Sequence, residues 1–386
     1  MAPFPPASLA PVTPGAPAER RLAAIAAARA ALMSGDHAAA SALVPGWVER
    51  SWERCLALGL TPQEQARFDT LTRAQMRRTL EANAQLVRTA RPLIQHLGRA
   101  IVNTGYFAIL TNQDGIVVDV SGAIDRQDRR ADLITRIGTD LSERNVGTTA
   151  IGTALSELQP VWLHRGEHFF SNTAVYSCAG APLFGPDGRC VGMLDLTGID
   201  APERPELKHL VTQAAGKIEN ALVLAQPHSL TLRLNWPGNA LGGDADGILC
   251  LNGDGQITGA NAIARQMVPG LGHGVQMAAS DVFGVPVSQL FDAARRGYGP
   301  FELPLWNGLL LQAVALERAF ELQAPALALP RHARAPVDRS VPLKDLEITL
   351  IRRAVEDARG NVARAAQALG ISRATVYRKL GQKPQH

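Results

Sequence analysis

The chain has 386 residues, of which 46% are hydrophobic, 19% charged and 5% aromatic. This length favours two or three domains, and the apolar fraction supports at least one sizeable core. The four widely spaced cysteines exclude a disulfide-rich scaffold and a zinc ribbon, and no apolar run approaches the roughly 20 residues that span a bilayer. The N-terminus lacks the basic start and apolar run of a secretory signal, so we expect a cytoplasmic protein without membrane contact.

Residues 1–18 are rich in proline and alanine and show no periodicity, which predicts a disordered tail. Residues 19–104 are expected to form a helical N-terminal region that ends in a signalling helix. Apolar spacing predicts helices at 20–33 and 47–58, and further helices across 71–104 that are interrupted or bent at Pro92.

Near residue 105 the pattern changes to that of an α+β domain with an antiparallel sheet, expected over residues 105–226. Two strand–turn–strand units, at 107–120 and 181–196, each turn at an Asp-Gly pair. The other elements predicted in this domain are a helix at 148–158, a strand at 160–164 and a closing helix at 206–225.

A smaller α+β domain is predicted over residues 235–322. It contains a third Asp-Gly hairpin at 247–258, followed by a short helix and by strands near 301–305 and 309–316. Residues 323–341 are rich in proline, alanine and arginine, which predicts a linker.

Residues 342–386 are predicted to be an all-α helix-turn-helix. From Val341 to the C-terminus there are nine basic and four acidic residues, a net charge of +5, which leaves the rest of the chain about neutral. An amphipathic helix at 343–358 precedes two short helices that begin after Asn361 and Ser372. A basic module with two short helices around a glycine turn is typical of DNA binding.

The third helix of this module places hydroxyls and cations on one face of about 120°. Val376 and Leu380 fall outside that face and are available for the core. We predict that the DNA-binding residues are Arg364, Ser372, Arg373, Thr375, Arg378 and Lys379. The alternative is a solvated basic helix end that contacts no DNA.

Several motifs resemble acetoin-catabolism-type, sigma-54-dependent bacterial regulators of the Fis family. The resemblance rests on Arg50–Cys55, Asn145–Leu155, Gly166–Phe169, Gly192–Gly198, Gly247–Asn261, Pro342–Glu347 and Leu369–Leu380. It implies a GAF-type sensor domain, a PAS-like domain and a Fis-type helix-turn-helix. It further implies a homodimer that binds paired operator half-sites and responds to a small-molecule effector, with RNA polymerase as a further candidate partner.

One departure from this family concerns the central AAA+ ATPase. No G-x-x-x-x-G-K-[ST] phosphate-binding loop occurs, because the Gly216-Lys217 pair has Val211 at the first glycine position and Ile218 after the lysine. We therefore expect no ATP-dependent sigma-54 remodelling, no cofactor and no metal. Action as a repressor, as a sigma-70-type activator or by competition at the sites of relatives remains open.

Seven residues are candidate effector contacts: Asn145, Thr148, Thr149, His164, Glu167, His168 and Cys178. The His164–His168 segment matches H-x-x-E-H, an inverted zinc-peptidase motif, but that chemistry needs both histidines on one helical face, and a strand is predicted here. Structural alternatives stay open: a polar turn for His164–His168, a buried thiol for Cys178, and helix caps for the Asn145, Thr148 and Thr149 group.

The favoured function is a sequence-specific DNA-binding transcription regulator with a sensor domain and no enzymatic activity. A second hypothesis is a partner that does not bind DNA and inhibits a full-length relative by forming a heterodimer. A third, a thiol-based enzyme of GAF fold, requires a reactive pair of cysteines, for which only Cys178 and Cys190 are available.

Overall fold

The computed structural model describes residues 16–271, 277–297 and 299–317, together with Val355, Val362, Ala366 and Val376. The chain divides into two units, residues 1–319 and 320–386. Most of the predicted tail, the predicted linker and all six predicted DNA-binding residues lie outside the described residues. Among those that are described, no helix is long and apolar enough to cross a membrane.

Five helices form the N-terminal region: α1 (Ala16–Met33), α2 (His37–Ser41), α3 (Gly46–Ala57), α4 (Arg73–Ala82) and α5 (Ala84–Ala100). α1 begins within the predicted tail. The predicted interruption at Pro92 is wrong, because the chain breaks at Asn83 and Pro92 lies inside α5. The buried face of α5 runs from Leu86 to Leu97 on both sides of the proline, and this packing maintains the helix despite the missing hydrogen bond.

The first sheet has five antiparallel strands in the order β2-β1-β5-β4-β3. They are β1 (Tyr106–Asn112), β2 (Val117–Gly122), β3 (Val161–His164), β4 (Tyr176–Phe184) and β5 (Cys190–Ile199). Both predicted hairpins, β1–β2 and β4–β5, are confirmed. Their turns require Gly115 and Gly188, whose φ angles are +80° and +81°.

Helices cover both faces of this sheet. The inserted helices are α6 (Arg129–Thr135), α7 (Glu143–Val146) and α8 (Ala150–Glu157), and α9 (Leu207–Leu224) follows β5. One face, which includes Met193, packs with α1, α3 and α8, while the other, which includes Leu194 and Leu196, packs with α5 and α9. The side chains of β5 therefore alternate between two buried layers.

The second domain is also an antiparallel α+β unit, with sheet order β8-β7-β6-β10-β9. Its elements are β6 (Leu230–Asn235), β7 (Gly247–Leu251), β8 (Ile257–Ala260), α10 (Ala262–Met267), α11 (Val287–Arg295), β9 (Phe301–Pro304) and β10 (Leu310–Glu317). The third predicted hairpin, β7–β8, is confirmed, whereas β6 begins before the predicted domain boundary at residue 235. The multidomain fold with two α+β units is thus as expected.

In the second unit, the four described residues all lie in helices. Ala366 and Val376 are buried, and Val355 and Val362 pack against them. The prediction that Val376 belongs to the core of the helix-turn-helix is confirmed.

Candidate effector site

A small cavity of about 30 Å³ lies beside the first sheet, between β4, β5 and the segments that cover them. Its apolar wall consists of Phe68, Ile109, Ile134, Leu141, Ala150 and Ile151. Its polar wall consists of Thr149, His168, Thr173, Tyr176, Cys178, Asp195 and Thr197. The cavity therefore combines hydrocarbon walls with a cluster of polar groups, as small-molecule sites usually do.

The polar wall follows from strand alternation. Asp195 and Thr197 lie on the same face of β5, two residues apart, and Cys178 on β4 is paired directly with Thr197. Asp195 and Thr197 are absent from the predicted effector contacts. A signal was nevertheless available, because Asp195 is an acid between two leucines in the Gly192–Gly198 motif.

The hydrogen bonds of this wall form a chain in which Cys178 donates to Thr197 and Thr197 donates to Asp195. Burial raises the pKa of the Cys178 thiol, so the thiol keeps its proton and can donate to Thr197 Oγ1, 3.3 Å away. Thr197 Oγ1 in turn donates to Asp195 Oδ2. Asp195 is fully buried, and its Oδ1 has no hydrogen-bond partner among the described residues. Burial also raises the pKa of Asp195 to about 7.

His168 supplies a second unpaired acceptor. Its Nδ1 lies 2.9 Å from the carbonyl oxygen of Arg165, and since a carbonyl only accepts, Nδ1 must carry the hydrogen. Burial lowers the pKa of His168 to about 4, so the ring is neutral and Nε2 has a free lone pair. Within the described part of the chain, Nε2 has no hydrogen-bond partner.

Thr149 is the N-cap of α8, where its Oγ1 accepts a hydrogen bond of 3.2 Å from the backbone of Gly152. Its own hydroxyl hydrogen has no assigned acceptor among the described residues. Above the pKa of Asp195, where its carboxyl group is ionised, the cavity thus presents two acceptors, Asp195 and His168, and one donor, Thr149. An unsatisfied buried polar group costs roughly 1–3 kcal/mol, and Asp195 Oδ1 and His168 Nε2 are two such groups on one cavity wall.

The other predicted effector contacts lie outside the cavity. Thr148 belongs to a buried network in which Ser51 Oγ lies 2.8 Å from Thr148 Oγ1 and also donates to Glu143. Arg54 binds the same Glu143 carboxylate, with Nε–Oε2 at 2.7 Å. The Arg50–Cys55 and Asn145–Leu155 motifs therefore meet as a joint between α3 and α8.

His164 and Glu167 also lie outside the cavity. His164 Nδ1 is 2.8 Å from Ser177 Oγ. Glu167 accepts a 2.6 Å hydrogen bond from the His164 backbone N–H and pairs with Arg21 on α1 at 2.9 Å. Burial raises the pKa of Glu167 to about 7, although Arg21 opposes this shift. Both residues therefore hold the turn that carries His168.

Arg29 on α1 secures the same segment. Its guanidinium donates to the carbonyl oxygens of Gly166, His168 and Phe169, at 2.9, 2.6 and 2.7 Å. From α3, Trp52 Nε1 donates to the Glu167 carbonyl at 2.8 Å. We call these contacts to residues 166–169 the α1 clamp. It connects the wall of the cavity to the N-terminal helix, and nothing in the sequence pattern indicated it.

The H-x-x-E-H segment does not form a peptidase helix, since His164 ends β3 and a 3-10 turn follows at Arg165–Glu167. The one group of three metal-ligating side chains found in the described residues is His37, Glu49 and Glu53, away from that segment. Burial raises the pKa of the Cys178 and Cys190 thiols, the opposite of the shift that activates a nucleophilic cysteine.

Residues 23–220 match the family described as the MimR N-terminal domain, and residues 342–382 match bacterial regulatory proteins of the Fis family. The chain belongs to the MimR N-terminal domain family. With its Fis-type region, it is homologous to transcription regulators that bind DNA, and its relatives are regulators rather than enzymes.

Two relatives illustrate this kinship. The chain is 31% identical over 299 residues to the acetoin catabolism regulatory protein of Cupriavidus necator, covering 72% of this chain and 44% of that protein. It is 26% identical over 279 residues to the propane 2-monooxygenase operon transcriptional activator MimR of Mycolicibacterium goodii, covering 68% and 45%. The chain therefore spans less than half the length of these two relatives.

Among solved structures, the E. coli DhaR(N)–DhaL complex aligns with a TM-score of 0.43 and 14% identity. The alignment covers 71% of this chain and 99% of that one.

Proposed function

We propose that this protein is a sequence-specific DNA-binding transcription regulator whose first α+β domain senses a small molecule in the cavity beside Asp195. The observation that carries the sensing role is the pair of unpaired acceptors, Asp195 Oδ1 and His168 Nε2, in a buried pocket. A purely structural core pairs its buried polar atoms. We assign the GAF-type sensor that the resemblance implies to this first domain and the PAS-like domain to the second.

DNA binding is assigned to the C-terminal region. The Fis-family match and the burial of Ala366 and Val376 support a helix-turn-helix there. The proposed DNA contacts are Arg364, Ser372, Arg373, Thr375, Arg378 and Lys379. We propose that a homodimer acts in the cytoplasm on paired half-sites, since symmetric dimers match operators of that form.

Signal transmission would begin at the α1 clamp. A ligand that contacts His168 touches the segment that Arg29 and Arg21 hold, so occupancy of the cavity biases the position of α1. For DNA affinity to change, the ligand must bind one arrangement of the dimer better than another. Because the sequence contains no phosphate-binding loop, this regulation is proposed to proceed without ATP-dependent remodelling.

The test of DNA binding is a titration of the purified protein with DNA from upstream of its own gene and with random DNA, over a range of salt concentrations. We expect binding to the upstream DNA well above binding to random DNA, with a steep negative log–log salt slope. Arg378→Ala should weaken specific binding by about 1–3 kcal/mol if the side chain reads a base. If the DNA-binding isotherm of Arg378→Ala is the same as that of the wild type, Arg378 does not contact the DNA.

The second candidate function is that of an inhibitory partner which forms heterodimers with a full-length relative. The basis for such pairing is the homology that the chain shares with these regulators. Equally weak binding to both DNAs would support this function and contradict operator binding.

A further inference from the structure

The hydrogen-bonding capacity left over in the cavity restricts what can bind there. Thr173 Oγ1 donates to the Phe170 carbonyl at 2.8 Å, and the Tyr176 hydroxyl donates to the Arg130 carbonyl at 3.2 Å. The hydroxyl of Thr197 is engaged with Asp195. The hydrogens of these three hydroxyls are therefore engaged. Among the described cavity residues, Thr149 keeps a hydroxyl hydrogen to donate, and Asp195 and His168 each keep an acceptor atom without any partner.

A group that complements this set must donate and accept hydrogen bonds at one atom. A hydroxyl group does both, and so does a water molecule, which a hydroxyl compound would displace. A ketone, ether or nitrile only accepts, so it leaves Asp195 and His168 unpaired. An ammonium group only donates, so it leaves Thr149 unpaired, and it also brings a charge against six apolar side chains.

The volume of the cavity and the charges on its wall restrict the class of ligand further. A bound water needs at least about 10–15 Å³, so a cavity of about 30 Å³ admits roughly two or three water-sized groups. A carboxylate or phosphate would meet the carboxyl group of Asp195, with no cationic side chain on the cavity wall to offset it. The occupant must therefore be small and uncharged.

We propose that the cavity binds a neutral hydroxyl compound of about two to four non-hydrogen atoms, a short alcohol or diol. Its O–H donates to Asp195 Oδ1 or His168 Nε2, its oxygen accepts from Thr149, and its carbon atoms contact Ile109 and Ile134. A diol satisfies both acceptors at once. This assignment rests on the proposed sensing function and specifies the chemistry of its ligand.

The experiment uses the full chain labelled with ¹³C in its isoleucine methyl groups and titrated with four probes. They are ethanol, 1,2-ethanediol, acetonitrile as an acceptor-only compound, and ethylammonium as a charged donor. Ile109, Ile134 and Ile151 line the cavity, whereas Ile248 is buried in the second domain and serves as the internal reference. Ligands of this size bind in the millimolar range at best.

The expected result is saturable shifts of the three cavity methyls with ethanol and 1,2-ethanediol, tighter for the diol, without a change at Ile248. Acetonitrile and ethylammonium should bind at least about tenfold more weakly, the loss expected for an unmade bond to a buried polar group. Equal binding of acetonitrile, tightest binding of ethylammonium, or no saturable shift with any probe would each overturn the proposal.

One variant and a matched control test whether ligand binding depends on the acceptor Asp195. At pH 8, where the Asp195 carboxyl group is ionised, Asp195→Asn should weaken 1,2-ethanediol binding at least about tenfold, since it removes the charged acceptor. Glu219→Gln is the matched control. Glu219 is also a buried carboxyl group whose pKa is raised to about 7, but it lies outside this cavity. The Glu219→Gln variant should therefore bind 1,2-ethanediol within about twofold of the wild type. An Asp195→Asn variant with an unchanged Ile248 signal and undiminished binding contradicts the assignment.

The DNA titration on the same preparation separates two kinds of failure. If upstream DNA binds specifically but no hydroxyl probe does, the ligand class is wrong and the regulator function stands. If specific DNA binding is also absent, the proposed function itself fails.

Discussion

Asp195 in the first α+β domain and Asp246 in the second are both buried, with exposed fractions of 0% and 1%, but their hydrogen bonds differ. Asp246 accepts from Arg233 at 3.0 Å, from the Gly242 backbone at 2.7 Å and from Asn235 at 3.3 Å. Asp195 has one partner, Thr197, and an oxygen without any in the described part of the chain. One carboxyl group is satisfied by the fold, and the other is left available.

The two sheets also differ in whether the residues on their buried faces are apolar or polar. The core of the second sheet is lined by leucines on β6 and β7, such as Leu232 and Leu249. On the first sheet, one face of β5 replaces that pattern with Asp195 and Thr197 beside a cavity. A buried polar group that the fold does not satisfy destabilises a protein, so its retention points to binding rather than to stability.

The largest loss of stability is expected for Asp246→Ala. Removing this carboxylate leaves Arg233 and two backbone or amide donors without their acceptor, and we expect the free energy of unfolding to fall by about 3 kcal/mol. Asp244→Ala is the control, because Asp244 is exposed and pairs with exposed Lys217 at 3.2 Å; its effect should stay below about 1 kcal/mol. Chemical denaturation measures both. Equal losses of stability in the two variants would show that Asp246 does not have the structural role assigned to it.

Arg29→Lys should weaken the α1 clamp by about 2 kcal/mol, because an ammonium group cannot reach three carbonyl oxygens in the way a guanidinium does. Amide hydrogen exchange should accelerate at residues 166–170 and remain unchanged in β6 and β7. Arg77→Lys, on the exposed surface of α4, is the control. Faster exchange across both domains would mean that Arg29 supports the whole unit rather than the wall of the cavity.

Asp195→Asn should stabilise the unliganded protein, in contrast to Asp246→Ala. The pKa of Asp195 is about 7 in the folded chain, against about 3.9 when unfolded. The folded state therefore holds a proton that the unfolded state releases, and the contribution of Asp195 to stability falls as pH rises from about 4 to about 7. Its neighbours Cys178 and Tyr176 stay neutral in this range, and His168, whose pKa is about 4, is the same in both proteins and cancels in their comparison.

The gain from Asp195→Asn should accordingly be small at pH 4 and rise to about 4 kcal/mol at pH 8, because a pKa difference of about 3 units is worth about 1.4 kcal/mol per unit. Denaturation of both proteins at the two pH values measures it. A gain that is the same at both pH values would show that Asp195 titrates normally in the folded chain.

The sequence predicted the elements that local patterns specify. Asp-Gly turns predicted the three hairpins, and apolar spacing predicted α3, α8 and α9 close to their observed ends. It failed at Pro92, because packing of α5 on the sheet outweighs the local cost of a proline. It also missed β6, although the alternation of Leu230, Leu232 and Leu234 was visible in the sequence.

The site was harder to predict because it depends on contacts between distant residues. Thr149, His168 and Cys178 were among the predicted effector contacts and line the cavity, whereas Thr148 and Glu167 have polar partners elsewhere. Asp195 was overlooked, although it lies between two leucines in the Gly192–Gly198 motif, because its place on the cavity wall beside β4 depends on the pairing of β4 with β5. Unpaired atoms are a property of the folded chain and leave no trace in composition or spacing.

The most direct test of the account is the affinity for upstream DNA, measured with and without 1,2-ethanediol at a concentration that saturates the cavity methyls. We expect the diol to change the dissociation constant of the wild type by about fivefold or more, a typical allosteric coupling, and to leave the dissociation constant of Asp195→Asn unchanged. An equal change in both proteins, or no change in a saturated wild type, would contradict the claim that this cavity controls DNA binding.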